Sequence, residues 1–207
     1  MYKGTLFIIS APSGTGKSTL IQQMFKKNIL DNITISISYT TRLMRRGEKN
    51  GKDYYFVSKK KFKNMIKKGF FLEYAKIFND YYGTSKIMIE KFLLLGIDIF
   101  LIINWEGAQN IRNKIENSKS IFLLPPSKQE LYRRLRNRGQ DSDLVIHKRM
   151  KTAVSEISHY HEYDYVIVNS KLKLAVLDLT NIIFANRLRL SYQKKKNFSL
   201  IQNLLKC

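Results

Sequence analysis

Apolar and polar residues follow two different periods along this chain, and the changes of period divide it into short strands and amphipathic helices. Leu6 to Ile9 is a wholly apolar run, the mark of a strand buried on both faces. From Lys17 onward, Leu20, Ile21, Met24 and Phe25 recur at helical spacing, and Asn28 to Asn32 reads as a loop. Ile33, Ile35 and Ile37 then alternate with Thr34, Ser36 and Ser38, the period of a half-buried strand. Asp53 to Val57 predicts another short strand. Ser58 is placed to cap a helix carrying Phe62, Met65 and Ile66, which Gly69 stops. Phe70 to Ala75 reads as extended, Asn79-Asp80 as a turn, and Ser85 to Leu95 as a helix closed by Gly96.

Ile97 to Ile103 is a second strongly apolar run, followed by a helix to about Asn117 and a third buried strand from Ile121 to Leu124. Pro125-Pro126 breaks the chain, and Ser127-Lys128-Gln129-Glu130 has the spacing of a capping box. The helix that it opens carries Leu131 and Leu135 on one face and ends at Gly139. A further helix, Asp143 to Tyr160, turns Ile146, Met150, Ala153 and Ile157 inward. Tyr165 to Val168 reads as the last core strand, and Lys171 to about Leu190 as an amphipathic helix with Leu172, Val176, Leu179 and Ile183 in register. From Ser191 the tail is basic and is expected to be mobile. Strands alternating with helices, without a repeat or a long linker, predict an α/β fold on a parallel sheet.

The net charge of +21 over 207 residues has two readings, a nucleic-acid binder or solvated lysines. Basic residues are scattered, apart from Lys59-Lys60-Lys61 and Lys194-Lys195-Lys196, which favours solvated lysines and no nucleic-acid partner. The same excess would draw in anionic nucleotides. No apolar run approaches the ~18 residues of a membrane span, so no membrane partner is expected. Met1-Tyr2-Lys3 leads straight into the first strand, which predicts no signal peptide. Cys207, the single cysteine, cannot form an internal disulfide and fits a reducing, cytoplasmic setting. Self-association into a homo-oligomer stays open.

The first strand and the first helix enclose Ala11-Pro12-Ser13-Gly14-Thr15-Gly16-Lys17-Ser18. Strand, small-residue loop and helix are the context of a phosphate-binding loop. Gly14 and Gly16 allow backbone N–H groups to turn toward a phosphate, and the helix N-terminus adds partial positive charge there. Lys17 can reach terminal phosphates, and Ser18 can set its hydroxyl on Mg²⁺. Ala11 stands where the usual pattern begins with Gly.

Two further polar groupings carry alternatives. Ser38, Arg42, Arg45, Tyr54, Glu73, Tyr82 and Thr84 are either a phosphate clamp with a carboxylate for paired N–H groups, or solvated arginines beside half-buried core tyrosines. Arg134, Arg138 and Arg149 lie on a helix pair flanked by Pro-Pro and Gly. They are either the cations of a hinged lid or a charge-studded solvated face. His147, His159 and His161 give no metal pattern.

The motifs Ser10 to Ser18, Thr40-Thr41-Arg42, Gly47-Glu48, Asp53-Tyr54, Phe71-Leu72-Glu73, Tyr81-Tyr82-Gly83-Thr84, Trp105-Glu106-Gly107-Ala108-Gln109, Pro125-Pro126-Ser127, Leu135 to Gly139, Lys148-Arg149-Met150 and Tyr165 to Asn169 together resemble a bacterial-type guanylate kinase, over about residues 4 to 190. The resemblance implies a phosphate-loop core of three layers on a parallel sheet, about 1–35, 90–125 and 162–190. It also implies an inserted GMP-binding lobe at about 36–89 and a helical lid at about 126–161. It implies transfer of a phosphoryl group from ATP to GMP with Mg²⁺. By the same resemblance, Ser38, Arg42, Arg45, Tyr54, Tyr82 and Asn104 match GMP-binding positions, Glu73 and Thr84 read the guanine, and residues 11–18 hold ATP. Lys17 is the phosphate-loop lysine, and Arg134, Arg138 and Arg149 are the lid arginines. Two departures stand out. Ile102-Ile103-Asn104 replaces the family's Asp-x-Asp, and Leu43-Met44-Arg45-Arg46 replaces a proline-bearing turn. Besides an active kinase, those departures admit an interaction module that has lost catalysis.

Overall fold

In the computed structural model, which describes residues 3–77, 79–115, 117–137, 139 and 142–206, strands and helices alternate as the periodicity predicts. β1 (Leu6–Ser10) leads to α1 (Lys17–Lys26), and β2 (Ile33–Ile35), β3 (Tyr39–Thr40) and β4 (Tyr55–Phe56) precede α2 (Lys59–Lys67). β5 (Phe71–Ile77), β6 (Asp80–Ser85), α3 (Lys86–Leu94), β7 (Asp98–Ile102) and α4 (Trp105–Arg112) follow. Then come β8 (Lys119–Leu124), α5 (Lys128–Asn137), α6 (Asp143–Ile157), β9 (Tyr165–Val168) and α7 (Leu172–Leu188). The chain forms two compact units, one of Ser10–Asn32 with the chain from Ile121 onward, the other of Gly4–Ile9 and Ile33–Ser120.

The second unit holds two sheets. β7 pairs in parallel with β1 on one side and β2 on the other, with Phe7 opposite Phe100 and Ile35 also opposite Phe100. Leu6 to Ile9 and Ile99 to Leu101 are almost completely buried, which explains their unbroken apolar runs. The other sheet runs β4-β3-β6-β5 and is mixed: β3 and β4 are parallel, and β3–β6 and β6–β5 antiparallel. Its β5–β6 register shifts between Phe71 and Glu73. That irregularity breaks the strand alternation, so the consecutive residues Leu72 and Glu73 are both buried.

The first unit pairs β8 with β9 in parallel, Ile121 opposite Tyr165 and Leu124 opposite Val168. α5 and α6 share a core of Leu131, Leu135, Ile146 and Ala153, with Met150 partly buried against it. α7 buries Ala175, Val176, Leu179 and Ile183, close to the predicted stripe.

Three expectations change. The strand predicted over Asp53 to Val57 shrinks to Tyr55–Phe56. Asp53 Oδ2 accepts from Lys49 N at 2.8 Å and Tyr54 O from Gly51 N at 2.8 Å, so the residues ahead of Tyr55 are tied into a local turn. The helix after Trp105 ends at Arg112, not near Asn117. The basic tail, expected to be mobile, is helical over Leu190–Lys196 (α8) and Phe198–Leu204 (α9). Leu, Gln and Lys are strong helix formers, and neither helix buries a residue.

Phe62 anchors the mixed sheet. It is fully buried on α2, stacked on Phe71 at 4.4 Å and on Tyr81 at 5.4 Å between ring centroids. A Cβ on Gly83 would lie 2.9 Å from both Phe62 and Phe71. Phe62→Ala is expected to destabilise the protein by about 3–5 kcal/mol, read as a drop in the urea midpoint.

Candidate functional site

The first unit carries a loop built to receive an anion. β1 hands the chain to Ala11, and Gly14 and Gly16 adopt φ of 90° and 99°, a region that L side chains rarely enter. The loop closes on Thr15, whose Oγ1 donates to Pro12 O at 2.9 Å. No side chain caps α1 and no acidic residue lies in its first turn, so its first N–H groups and its dipole stand ready for negative charge. Lys17 opens α1, and its Nζ donates to Ala11 O. Burial lowers the Lys17 ammonium to about 8, partly offset by the carboxylate of Glu156. Ser18, the next residue, is exposed.

Two arginines reach this loop. Arg134 donates through Nη1 to Thr15 O at 3.0 Å and through Nη2 to Asn169 O at 2.9 Å, and its Nε meets Glu130 Oε1 at 2.8 Å. Asn169 Nδ2 also donates to Thr15 O, at 2.8 Å. Arg149 Nη1 donates to Ser13 Oγ at 2.9 Å. Ser127 Oγ accepts from Glu130 N at 3.0 Å, the capping contact predicted from spacing. The Glu130 carboxylate turns to Arg133 and Arg134, and their hydrogen bonds bring it down to about 2. Arg138 lies outside the described residues.

The second unit gathers most of the other grouping on the mixed sheet. Arg42 donates from Nη1 and Nη2 to both carboxylate oxygens of Glu48, at 3.0 and 2.7 Å. Its guanidinium lies 5.5 Å from the Tyr54 ring centroid. Tyr54 and Tyr82 meet edge to face at 6.0 Å. Burial, then the neighbouring Tyr82, raises the Tyr54 phenol, which keeps it a hydrogen-bond donor. Glu48 Oε2 also accepts from Arg45 N at 2.7 Å, while the Arg45 side chain is exposed. Ser38 is half-buried just before β3.

Tyr82 and Thr84 are two apart on β6 and so share a face. Thr84 pairs across the ladder with Glu73, and its Oγ1 donates to Glu73 Oε1 at 2.6 Å. Burial raises the Glu73 carboxyl above the usual carboxylate range, opposed by the Thr84 hydrogen bond and by Lys114. Asn104 is the N-cap of α4: Oδ1 accepts from Gly107 N and Nδ2 donates to Glu106 Oε2, both at 3.1 Å. A Cβ on Gly107 would sit 3.1 Å from Asn104 Oδ1 and 3.1 Å from Glu73 Oε2, so Glu73 and Asn104 meet at the start of α4.

Asn169 and Glu48 lie within the motifs that carry the resemblance, which gives neither a role. Neither has a periodic signal: Arg42 to Glu48 is a loop, and Asn169 lies 154 positions from Thr15. Glu48→Gln should leave Arg42 with one carboxylate acceptor fewer and loosen the 42–48 loop. An expected loss of about 1–3 kcal/mol in binding a phosphate monoester would appear as a raised Kd in calorimetry.

Among known proteins, the guanylate kinase family model matches residues 3–186. A guanylate kinase of Buchnera aphidicola subsp. Schizaphis graminum is 63% identical over 206 residues, covering 100% of both chains. One from Escherichia coli (strain K12) is 55% identical over 205 residues, 99% of each. The crystal structure of guanylate kinase from Anaplasma phagocytophilum superposes with a TM-score of 0.76 at 34% identity, covering 91% of this chain and 89% of that one.

Proposed function

Because the chain belongs to the guanylate kinase family, we propose that it transfers the γ-phosphoryl group of ATP to GMP, giving ADP and GDP. The observation that carries the base choice is the Glu73–Thr84 pair. Glu73 is a buried carboxylate with one oxygen on a hydroxyl and the other against the start of α4. Such a group accepts from the adjacent N1–H and 2-amino groups of guanine, an edge that adenine does not present.

In this reading the two units have different tasks. Residues 11–18 cradle the ATP phosphates with backbone N–H groups. Arg42, Arg45, Tyr54 and Tyr82 hold the GMP phosphate, while Ser38 and Asn104 complete its site. Phosphoryl transfer passes through a loose transition state with charge spread over the equatorial oxygens, so catalysis is positioning and charge stabilisation. Lys17, Arg134, Arg138 and Arg149 supply that charge. The ammonium of Lys17 leaves Ala11 O for a phosphate oxygen. Arg134 fastens the loop through Thr15 O, and Arg149 starts from Ser13. The half-charge-deficient state of Lys17 near pH 8 is relieved when the phosphates arrive, because a dianion favours its protonated form.

Mg²⁺ fits the residues present. Among the described residues no cluster of three or more His, Cys, Asp or Glu side chains could hold a metal. Mg²⁺ keeps several waters and relies on substrate phosphates with one or two protein ligands, and the exposed Ser18 hydroxyl would be such a ligand. When bound, the ion neutralises charge on the β- and γ-phosphates. The expected setting is the cytosol. Among the described residues no helix is long and apolar enough to cross a membrane.

The second reading, an interaction module without catalysis, draws on Ile102 and Asn104, where the family carries carboxylates. A coupled assay of ADP formation from ATP separates the two. GMP should be turned over far faster than AMP, CMP or UMP, and no ADP above background with GMP would leave only the module.

A further inference from the structure

Resting on the reading that Glu73 selects guanine, we infer that α4 positions this carboxylate from both of its ends, with Gly107 and Lys114 as specificity-positioning residues. Three observations carry it.

The first is the fit at the start of α4. Gly107 needs no special backbone conformation, since its φ is not in the left-handed region, and Ala forms helix better than Gly. What a side chain would meet there is crowding. A Cβ there would press at 3.1 Å on Glu73 Oε2 and on Asn104 Oδ1. Asn104 is held as the cap of α4, and Glu73 is tied to Thr84 at 2.6 Å. Neither is the loose end of a long flexible chain, so one of those contacts must yield.

The second lies just past the other end of the helix. Lys114 Nζ donates to Leu72 O at 2.9 Å, the carbonyl immediately before Glu73. That bond crosses from the α4 segment to β5 at the register irregularity between Phe71 and Glu73. A backbone carbonyl next to a break in the ladder is where a strand is least constrained by pairing, and Lys114 fixes it.

The third is electrostatic. Among the charged groups acting on Glu73, Lys114 favours its ionised form against the cost of burial, and the Thr84 hydroxyl acts in the same direction. A guanine edge with two N–H donors needs that ionised form. Lys114 therefore supports both the place of the carboxylate and its readiness to accept.

The test uses the full chain with GMP and with inosine monophosphate, which keeps N1–H and lacks the 2-amino group. Gly107→Ala and Lys114→Met should each raise KM for GMP and reduce the GMP-to-inosine monophosphate ratio of kcat/KM by roughly tenfold or more. kcat at saturating GMP should stay within about twofold, and Lys114→Arg, which keeps both donor and charge, should restore the ratio. Gly107→Ala should melt within a few degrees of the native chain, because the better helix propensity of Ala offsets part of the cost of the contact that yields. If Gly107→Ala fails to fold, Lys114→Met and its Arg counterpart decide alone. Glu73→Gln is the control. If it collapses the ratio while Gly107→Ala and Lys114→Met leave it unchanged, the inference about α4 is overturned and the reading of Glu73 stands. If Glu73→Gln itself leaves the ratio unchanged, the reading of Glu73 fails and the inference with it.

Discussion

Lys17→Met is expected to reduce kcat by about 10²–10³-fold or more while leaving the protein folded. The side chain donates to a backbone carbonyl of its own loop, Ala11 O, and is not one of the core residues. In the proposed reading, its loss removes a preorganised positive charge beside the phosphates during transfer. Stability should move the other way. The folded-state ammonium is lowered from 10.5 to about 8 because burial strips its water. Below pH 8 both folded and unfolded chains carry this proton, and burial of the charge opposes folding in full. Between 8 and 10.5 the folded chain releases the proton and the unfolded chain keeps it, so this group makes stability rise with pH, by about 3 kcal/mol at most. Met carries no charge to desolvate. The variant should equal or exceed the native chain in stability at neutral pH and lose that rise, measured as urea midpoints from pH 7 to 11. The native kcat/KM for ATP should fall above about pH 8. A fully active Lys17→Met chain would remove the phosphate loop from the mechanism.

Glu73→Gln should have the second largest effect. An amide in that place sets an N–H donor against the donors of guanine and leaves one buried group unpaired, at about 1–3 kcal/mol, so KM for GMP should rise by about one to two orders of magnitude. The pH dependence has a definite sign. Burial raises the folded-state Glu73 carboxyl above its ordinary value of 4.5. From that value up to the folded one, the folded chain holds a proton that the unfolded chain has lost. This carboxyl therefore makes stability fall as pH rises through the window, opposite to a paired surface carboxylate. Guanine affinity should rise through the same window, because only the ionised form accepts both N–H groups. Glu73→Gln should abolish both trends. Calorimetric titration of GMP between pH 4.5 and 8, alongside melting curves, would show them, and a GMP affinity that does not change with pH in the native chain would show that Glu73 is not the reader.

How far the sequence reaches can be judged from the same residues. The phosphate loop was legible because its parts are contiguous. A buried strand, two glycines and a Lys-Ser helix start lie within thirteen residues of one another, and local geometry follows from local sequence. The same holds for the α5 and α6 core, where i, i+4 spacing alone selects Leu131 and Leu135. The helices of the tail were not legible because its lysines and polar residues show no apolar stripe, although Lys and Gln are also good helix formers. The resemblance named the residues of the second grouping. What it could not supply was who holds them.

That was decided by tertiary structure. Glu48 takes up both terminal nitrogens of Arg42 across a loop without periodicity. Asn169 and Arg134 reach Thr15 O from 154 and 119 positions away. The buried pair of Leu72 and Glu73 exists because β5 slips its register against β6, which no alternation in the sequence announces. The chain by itself determined which elements form and which chemical groups they carry, because propensity, capping and hydrophobic period act over a few residues. Only the folded protein decided which carboxylate faces which hydroxyl and which glycine has no room for a methyl group. Those contacts depend on distances of a few tenths of an ångström between segments that are far apart in the chain.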